Sequence, residues 1–180
     1  MPDDSSPAKA FFDKYTSADA VGFLKAMPIT NPATVETEWM DFKSGQPREE
    51  DIKGIISKSF AAFANNAGGI LIWGLDCRRN EDRVDKVVGL KLASNVDVLR
   101  DKLAENYRTY TQPSILGVQF AALPLDKTTK EGFVICYIPA GGHKPYRSLH
   151  AKQPYYTRIS QINFTNQCYA DTLNPHKQRL

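Results

Sequence analysis

The chain of 180 residues predicts an α/β fold, a mixed β-sheet with packed helices, on three observations. Ile52, Ile55, Ile56, Phe60 and Phe63 recur at helical spacing and mark one apolar helix face. Asn65-Asn66-Ala67-Gly68-Gly69 follows at once and leads into Ile70-Leu71-Ile72-Trp73, which reads as a helix exit, a glycine-mediated return and a buried strand. Further apolar runs at 115–121 and 133–138 follow a second helical pattern without regular strand–helix alternation, so the sheet is expected to be mixed. A chain of this length supports one substantial core. The expected division is an N-terminal helical extension at 1–32, a main domain at 33–163 and a short basic segment at 164–180.

Taken in order, Ser6 and Pro7 supply a cap and a first-turn proline for a helix through Tyr15, and Ser17 is placed to cap a second helix over 20–27. Pro28 and Pro32 then mark the passage into the main domain. Residues 38–43 read as a strand, with Met40 and Phe42 on one face and Trp39, Asp41 and Lys43 on the other. Gln46 and Pro47 precede the long helix, whose first turn carries Glu49, Glu50 and Asp51, favourable at the positive end of the helix dipole. Gly74 ends the strand after Trp73 and delivers Asp76 to its tip. A strand is expected at 86–90, a helix at 96–110 capped by Ser94 or Asn95, paired strands at 115–121 and 133–138, and a last strand at 155–159.

There is no apolar run long enough to cross a bilayer and no basic-then-apolar leader pattern, so the expected location is cytoplasmic, without membrane attachment. Cys77, Cys136 and Cys168 are odd in number and widely spaced, which favours reduced thiols over a disulfide framework. The formal charge of +3 says little, but its distribution says more. From His143 onward Lys144, Arg147, Lys152, Arg158, Lys177 and Arg179 face only Asp171. Such a stretch can neutralise phosphates or serve as a solvated surface. Tyr146, Tyr155 and Tyr156 interleave with these cations; Arg158 is the strongest binding candidate, because its charge is costly to bury alone, whereas the tyrosines also suit plain packing.

No phosphate-binding Gly-x-x-x-x-Gly-Lys-Ser/Thr loop, His-Glu-x-x-His motif or compact Cys/His array is present. The carboxylates with possible chemistry are Glu36, Asp41 and Asp76, with Glu38 nearby. If Glu36, Asp41 and Asp76 converged, Mg²⁺ or Mn²⁺ would be their natural shared ligand and Lys43 a phosphate stabiliser. Convergence requires Glu36 to sit in a turn or beside a bulge, since regular alternation would put it opposite Asp41. The plainer arrangement pairs Asp41 with Lys43 on the surface and leaves Asp76 capping a turn.

The blocks Glu36-Thr37-Glu38-Trp39-Met40-Asp41-Phe42-Lys43, residues 61–76 and Tyr155-Tyr156-Thr157-Arg158-Ile159-Ser160 together resemble the Schlafen AlbA_2 family. The resemblance implies an α/β core and a nucleic-acid partner, RNA or DNA, bound by Lys43, Lys144, Arg147, Tyr156 and Arg158. In nucleolytic members an acidic trio supports metal-dependent RNA cleavage, and the matching positions here are Glu36, Asp41 and Asp76, with Lys43 the matching basic residue. Asp41 departs from the glutamate usual at its position. The nucleolytic relatives clasp RNA between two lobes, whereas one lobe is recognisable here; a homodimer would restore the second. Nucleic-acid binding is the leading expectation, with a divalent-metal-dependent endoribonuclease and a protein-interaction or assembly domain as alternatives.

Overall fold

The computed structural model describes residues 6–16, 20–30, 37–79, 85–105, 107–126, 128–152 and 154–157. Helix α1 (Pro7–Tyr15) starts as its sequence dictates, with the Ser6 hydroxyl accepting from the Lys9 amide and Pro7 in the first turn. Helix α2 (Ala20–Thr30) follows and runs past Pro28, longer than the proline pattern implied. Ser17, its expected cap, lies outside the described residues. Strand β1 (Met40–Lys43) leads into α3 (Glu49–Asn65), which returns the chain so that β2 (Gly69–Trp73) pairs parallel to β1.

Strand β3 (Leu75–Arg79) and β4 (Asp85–Leu90) form an antiparallel ribbon with an irregularity between Asp76 and Cys77. Helix α4 (Val96–Ala104) has Asn95 as its cap, accepting from the amides of Asp97 and Val98. It ends short of the expected 110 because Glu105 turns to extended backbone, and a separate 3-10 turn covers Tyr107–Thr109. The short strand β5 (Thr111–Gln112) comes next. Strands β6 (Gln119–Pro124) and β7 (Gly132–Ile138) are the expected pair, shifted towards the C-terminus at β6, and run antiparallel. Finally β8 (Arg147–Ser148) pairs with β5.

The main sheet has the order β1-β2-β7-β6. Every residue of β2 and β7 is buried, as expected of central strands covered on both faces. On one face Leu71 and Trp73 pack with Ile56, Phe60 and Phe63 of α3 and Leu99 and Leu103 of α4. On the other, Ile70 and Ile72 pack with Met40 and Phe42 of β1, Phe11 and Phe12 of α1, and Leu24 of α2. The two N-terminal helices therefore share a core with the sheet. Trp39 departs from the expected alternation: a turn at Glu38–Trp39 precedes β1, and the indole lies 5.9 Å from the Phe11 ring on the α1 side.

The joint between α3 and β2 shows why its residues are so specific. Gly68 has φ +84°, a left-handed conformation, and donates to the Phe63 carbonyl at 3.0 Å. At Gly69 an added Cβ would lie 1.9 Å from the Phe63 ring. No helix among the described residues is long and apolar enough to cross a membrane.

Candidate nucleic-acid interface

The outer side of α3 carries polar residues where a helix buried against a sheet would ordinarily be apolar. Ser57 and Asn65 are both buried, and a buried polar group is costly unless it is hydrogen-bonded. Asn65 finds its partners at Tyr146 and Tyr156, and Ser57 at Ser148, Leu149 and His150 together with the Tyr110 carbonyl. The Asn65 amide donates to the carbonyls of Tyr146 and Tyr156, each at 2.9 Å, and its oxygen accepts from the Tyr146 amide at 2.6 Å. The Ser57 hydroxyl lies 2.7 Å from both the Tyr110 carbonyl and the Ser148 hydroxyl, and accepts from the amides of Leu149 and His150 at 3.0 Å.

These bonds bolt residues 141–152 and 154–157 across α3 as a strap. Gly141 lets the strap turn tightly, since a Cβ there would lie 2.0 Å from the Tyr146 ring. The expected strand at 155–159 is replaced within the described residues by a single bridge between Tyr155 and Arg147, because the backbone of Tyr156 is satisfied by a side chain of α3.

The strap presents cations outward. Arg147 is exposed, and so is Lys144, whose Nζ donates to the Asn66 carbonyl at 2.5 Å at the end of α3. That bond uses one of three ammonium protons, so the charge still faces solvent. Tyr156 is 3% exposed and its ring lies 5.5 Å from Lys58 Nζ, which makes it a wall rather than an open stacking surface. Arg158 lies outside the described residues.

The acidic candidates are arranged differently. Asp41 is fully buried on the α3 side of β1, with one oxygen 2.5 Å from Lys43 Nζ and the other 3.4 Å from the Ser59 hydroxyl. Asp76 lies in β3, where its carboxylate is 3.1 Å from the Arg78 guanidinium. Asp41 thus makes the expected pair with Lys43, but inside the protein rather than on its surface. Asp76 belongs to a strand rather than a turn, because Gly74, at φ +124°, breaks the run and lets it restart. Each carboxylate is met by a cation of the chain itself. Glu36 lies outside the described residues, among which no group of three His, Cys, Asp or Glu is placed to hold a metal. Burial pushes the Cys136 thiol well above its ordinary pKa, leaving it a neutral core group.

Ser57 and Asn65 were not singled out as functional by sequence reasoning. Their signal was present but faint: polar residues within a helix that is buried from Ile56 to Asn65 except at Lys58, for which a distant segment supplies the partners.

The family model for Schlafen, AlbA_2 matches residues 36–165. The chain belongs to the Schlafen AlbA_2 family. The match covers the sheet, α3 and the strap. Among solved structures, the N-terminal domain of an ATP-dependent DNA helicase RecG-related protein from Nitrosomonas europaea is similar in fold, with a TM-score of 0.50, 18% identity, and coverage of 84% of this chain and 92% of that one. The DIP2311 protein from Corynebacterium diphtheriae aligns at a TM-score of 0.40 and 16% identity, over 77% of this chain and 25% of that one. No curated protein matches.

Proposed function

We propose that this Schlafen AlbA_2 domain binds nucleic acid, RNA or single-stranded DNA, through the strap and the face of α3 beneath it. The observation that carries the reading is the strap itself. Two buried side chains, Ser57 and Asn65, hold its backbone while Lys144 and Arg147 stay outside. A fixed backbone with outward-facing cations suits a phosphate-contacting surface, since such contacts set position and affinity without requiring a base code. Membership of the family over residues 36–165 supports the same reading.

The test is fluorescence anisotropy of labelled single-stranded RNA and DNA with the full chain across a salt series. Binding is expected to weaken as salt rises, with a logarithmic slope of about −0.7 for each phosphate neutralised. Absence of binding at low salt to diverse RNA and DNA would reject the reading.

A divalent-metal-dependent endoribonuclease is the second reading, favoured by one observation: Asp41 and Lys43 are already adjacent. It requires Lys43 to yield a carboxylate oxygen, and Glu36 and Asp76 to join the site with Mg²⁺ or Mn²⁺. Metal-dependent cleavage of structured RNA that is lost in a folded Asp76→Asn variant would support it; equal cleavage by that variant would remove Asp76 from the chemistry.

A further inference from the structure

Between the first half of α3 and the far end of the strap lies a groove of about 680 Å³ whose lining includes Lys53, Gly54 and Lys58 from the helix and His150, Lys152 and Tyr156 from the strap. None of Lys53, Lys58, His150 or Lys152 belongs to the recognised family blocks. We propose that this groove is the track for the sugar-phosphate backbone of a single strand. The inference rests on the nucleic-acid reading above and gives it a location.

Three features favour a polyanionic strand as occupant. Lysines stand on both walls, Lys53 and Lys58 on the helix and Lys152 on the strap, so an extended backbone lying between them meets positive charge from two sides. The strap wall is pre-set, because the amides of Leu149 and His150 are held by the buried Ser57 hydroxyl, and a pre-organised surface loses less on binding. The size is that of a small-ligand cleft, about 300–1,000 Å³, which suits a short run of single strand rather than a duplex.

The groove also carries Glu50 and Asp51, and their position gives the track a direction. Both are near Arg48, at 3.8 and 2.7 Å, but they still make the start of α3 the unfavourable end for phosphate. The strand therefore leaves past Lys58 and along the strap towards Arg147 and Lys144. From residue 53 to residue 66 α3 rises about 20 Å, long enough for several nucleotides of extended strand. The Tyr156 ring is buried beside Lys58 and offers no open stacking platform, so the groove's contacts are mainly from lysines to phosphates, which carry no base code.

The experiment uses the full chain and labelled single-stranded oligonucleotides of one base type each, measured from 50 to 200 mM salt. A Lys53→Glu, Lys152→Glu double variant alters two exposed side chains, and thermal melting checks that it stays folded. Lys86→Glu, Lys91→Glu, which changes the net charge equally but on and beside β4, is the control. The groove variant is expected to bind about tenfold or more weakly at low salt, with a slope shallower by about 1.4, while the control binds like the unaltered chain. If the unaltered chain binds and the two variants weaken equally, or the groove variant does not weaken, the groove assignment falls and the nucleic-acid reading stands. If the unaltered chain fails to bind at low salt, both fall.

Discussion

The two faces of the central sheet bury very different chemistry. The α1 and α2 side is built from Phe11, Phe12, Leu24, Met40, Phe42, Ile70, Ile72, Phe133 and Ile135, with Tyr137 bringing a hydroxyl. The α3 side holds the buried polar residues Asp41, Ser57, Ser59, Asn65, Thr111 and Ser148 along with its apolar core. Apolar packing is tolerant of the exact contact made, whereas a buried polar group is favourable only with its partner in place. The first face therefore supplies cohesion. The second spends some of that stability on fixing where one particular surface segment lies.

Substitutions can break this contrast, and the largest effect is expected on the apolar face. Phe42→Ala should lower unfolding free energy by about 3–5 kcal/mol in urea titrations, through lost burial and the cavity left behind. Oligonucleotide affinity per folded molecule should not change. Asn65→Ala should cost about 3 kcal/mol, because it strips partners from the backbone groups of Tyr146 and Tyr156. Unlike Phe42→Ala, it should also weaken binding and speed hydrogen exchange at the Tyr146 amide. An effect on stability alone would separate the strap from the function assigned to it. The smallest effect belongs to Arg78→Ala on the ribbon: the guanidinium that pairs with the half-buried Asp76 is itself exposed, so the change in stability should stay within about 1 kcal/mol. A larger loss would show that Asp76 is held more tightly than a surface carboxylate.

Local signals made much of the fold legible. Ser6 and Pro7 start α1, the acidic first turn and Ile–Phe stripe mark α3, and Gly68 and Gly69 mark the return into β2. Each of these depends on residues within a turn or two of one another. The β3–β4 ribbon was half hidden because Leu75–Arg79 follows β2 after a sharp break at Gly74 and so read as the tip of that strand rather than as a strand of its own. The candidate site was less legible. Tyr155 and Tyr156 suggested a strand by alternation, but the partner of the Tyr156 carbonyl is the Asn65 side chain, 91 positions away in sequence. The plainer reading pairs Asp41 with Lys43 on the surface; the pair is present, but the burial of Asp41 depends on α3 closing over it through Ser59. The cationic strap was visible as charge from Lys144 onward; the lysines of α3 that face it were not, since only the folded chain brings 53 and 58 beside 150 and 152.

The most direct test of this division between the faces is to follow backbone amide chemical shifts while a single-stranded oligonucleotide is titrated into the full chain. Perturbations should gather at Lys53, Gly54, Lys58, His150 and Lys152 and extend along the strap to Arg147 and Lys144, with α1 and α2 silent. Perturbations centred on α1, α2 or the β3–β4 ribbon, with the α3 face unchanged, would contradict it.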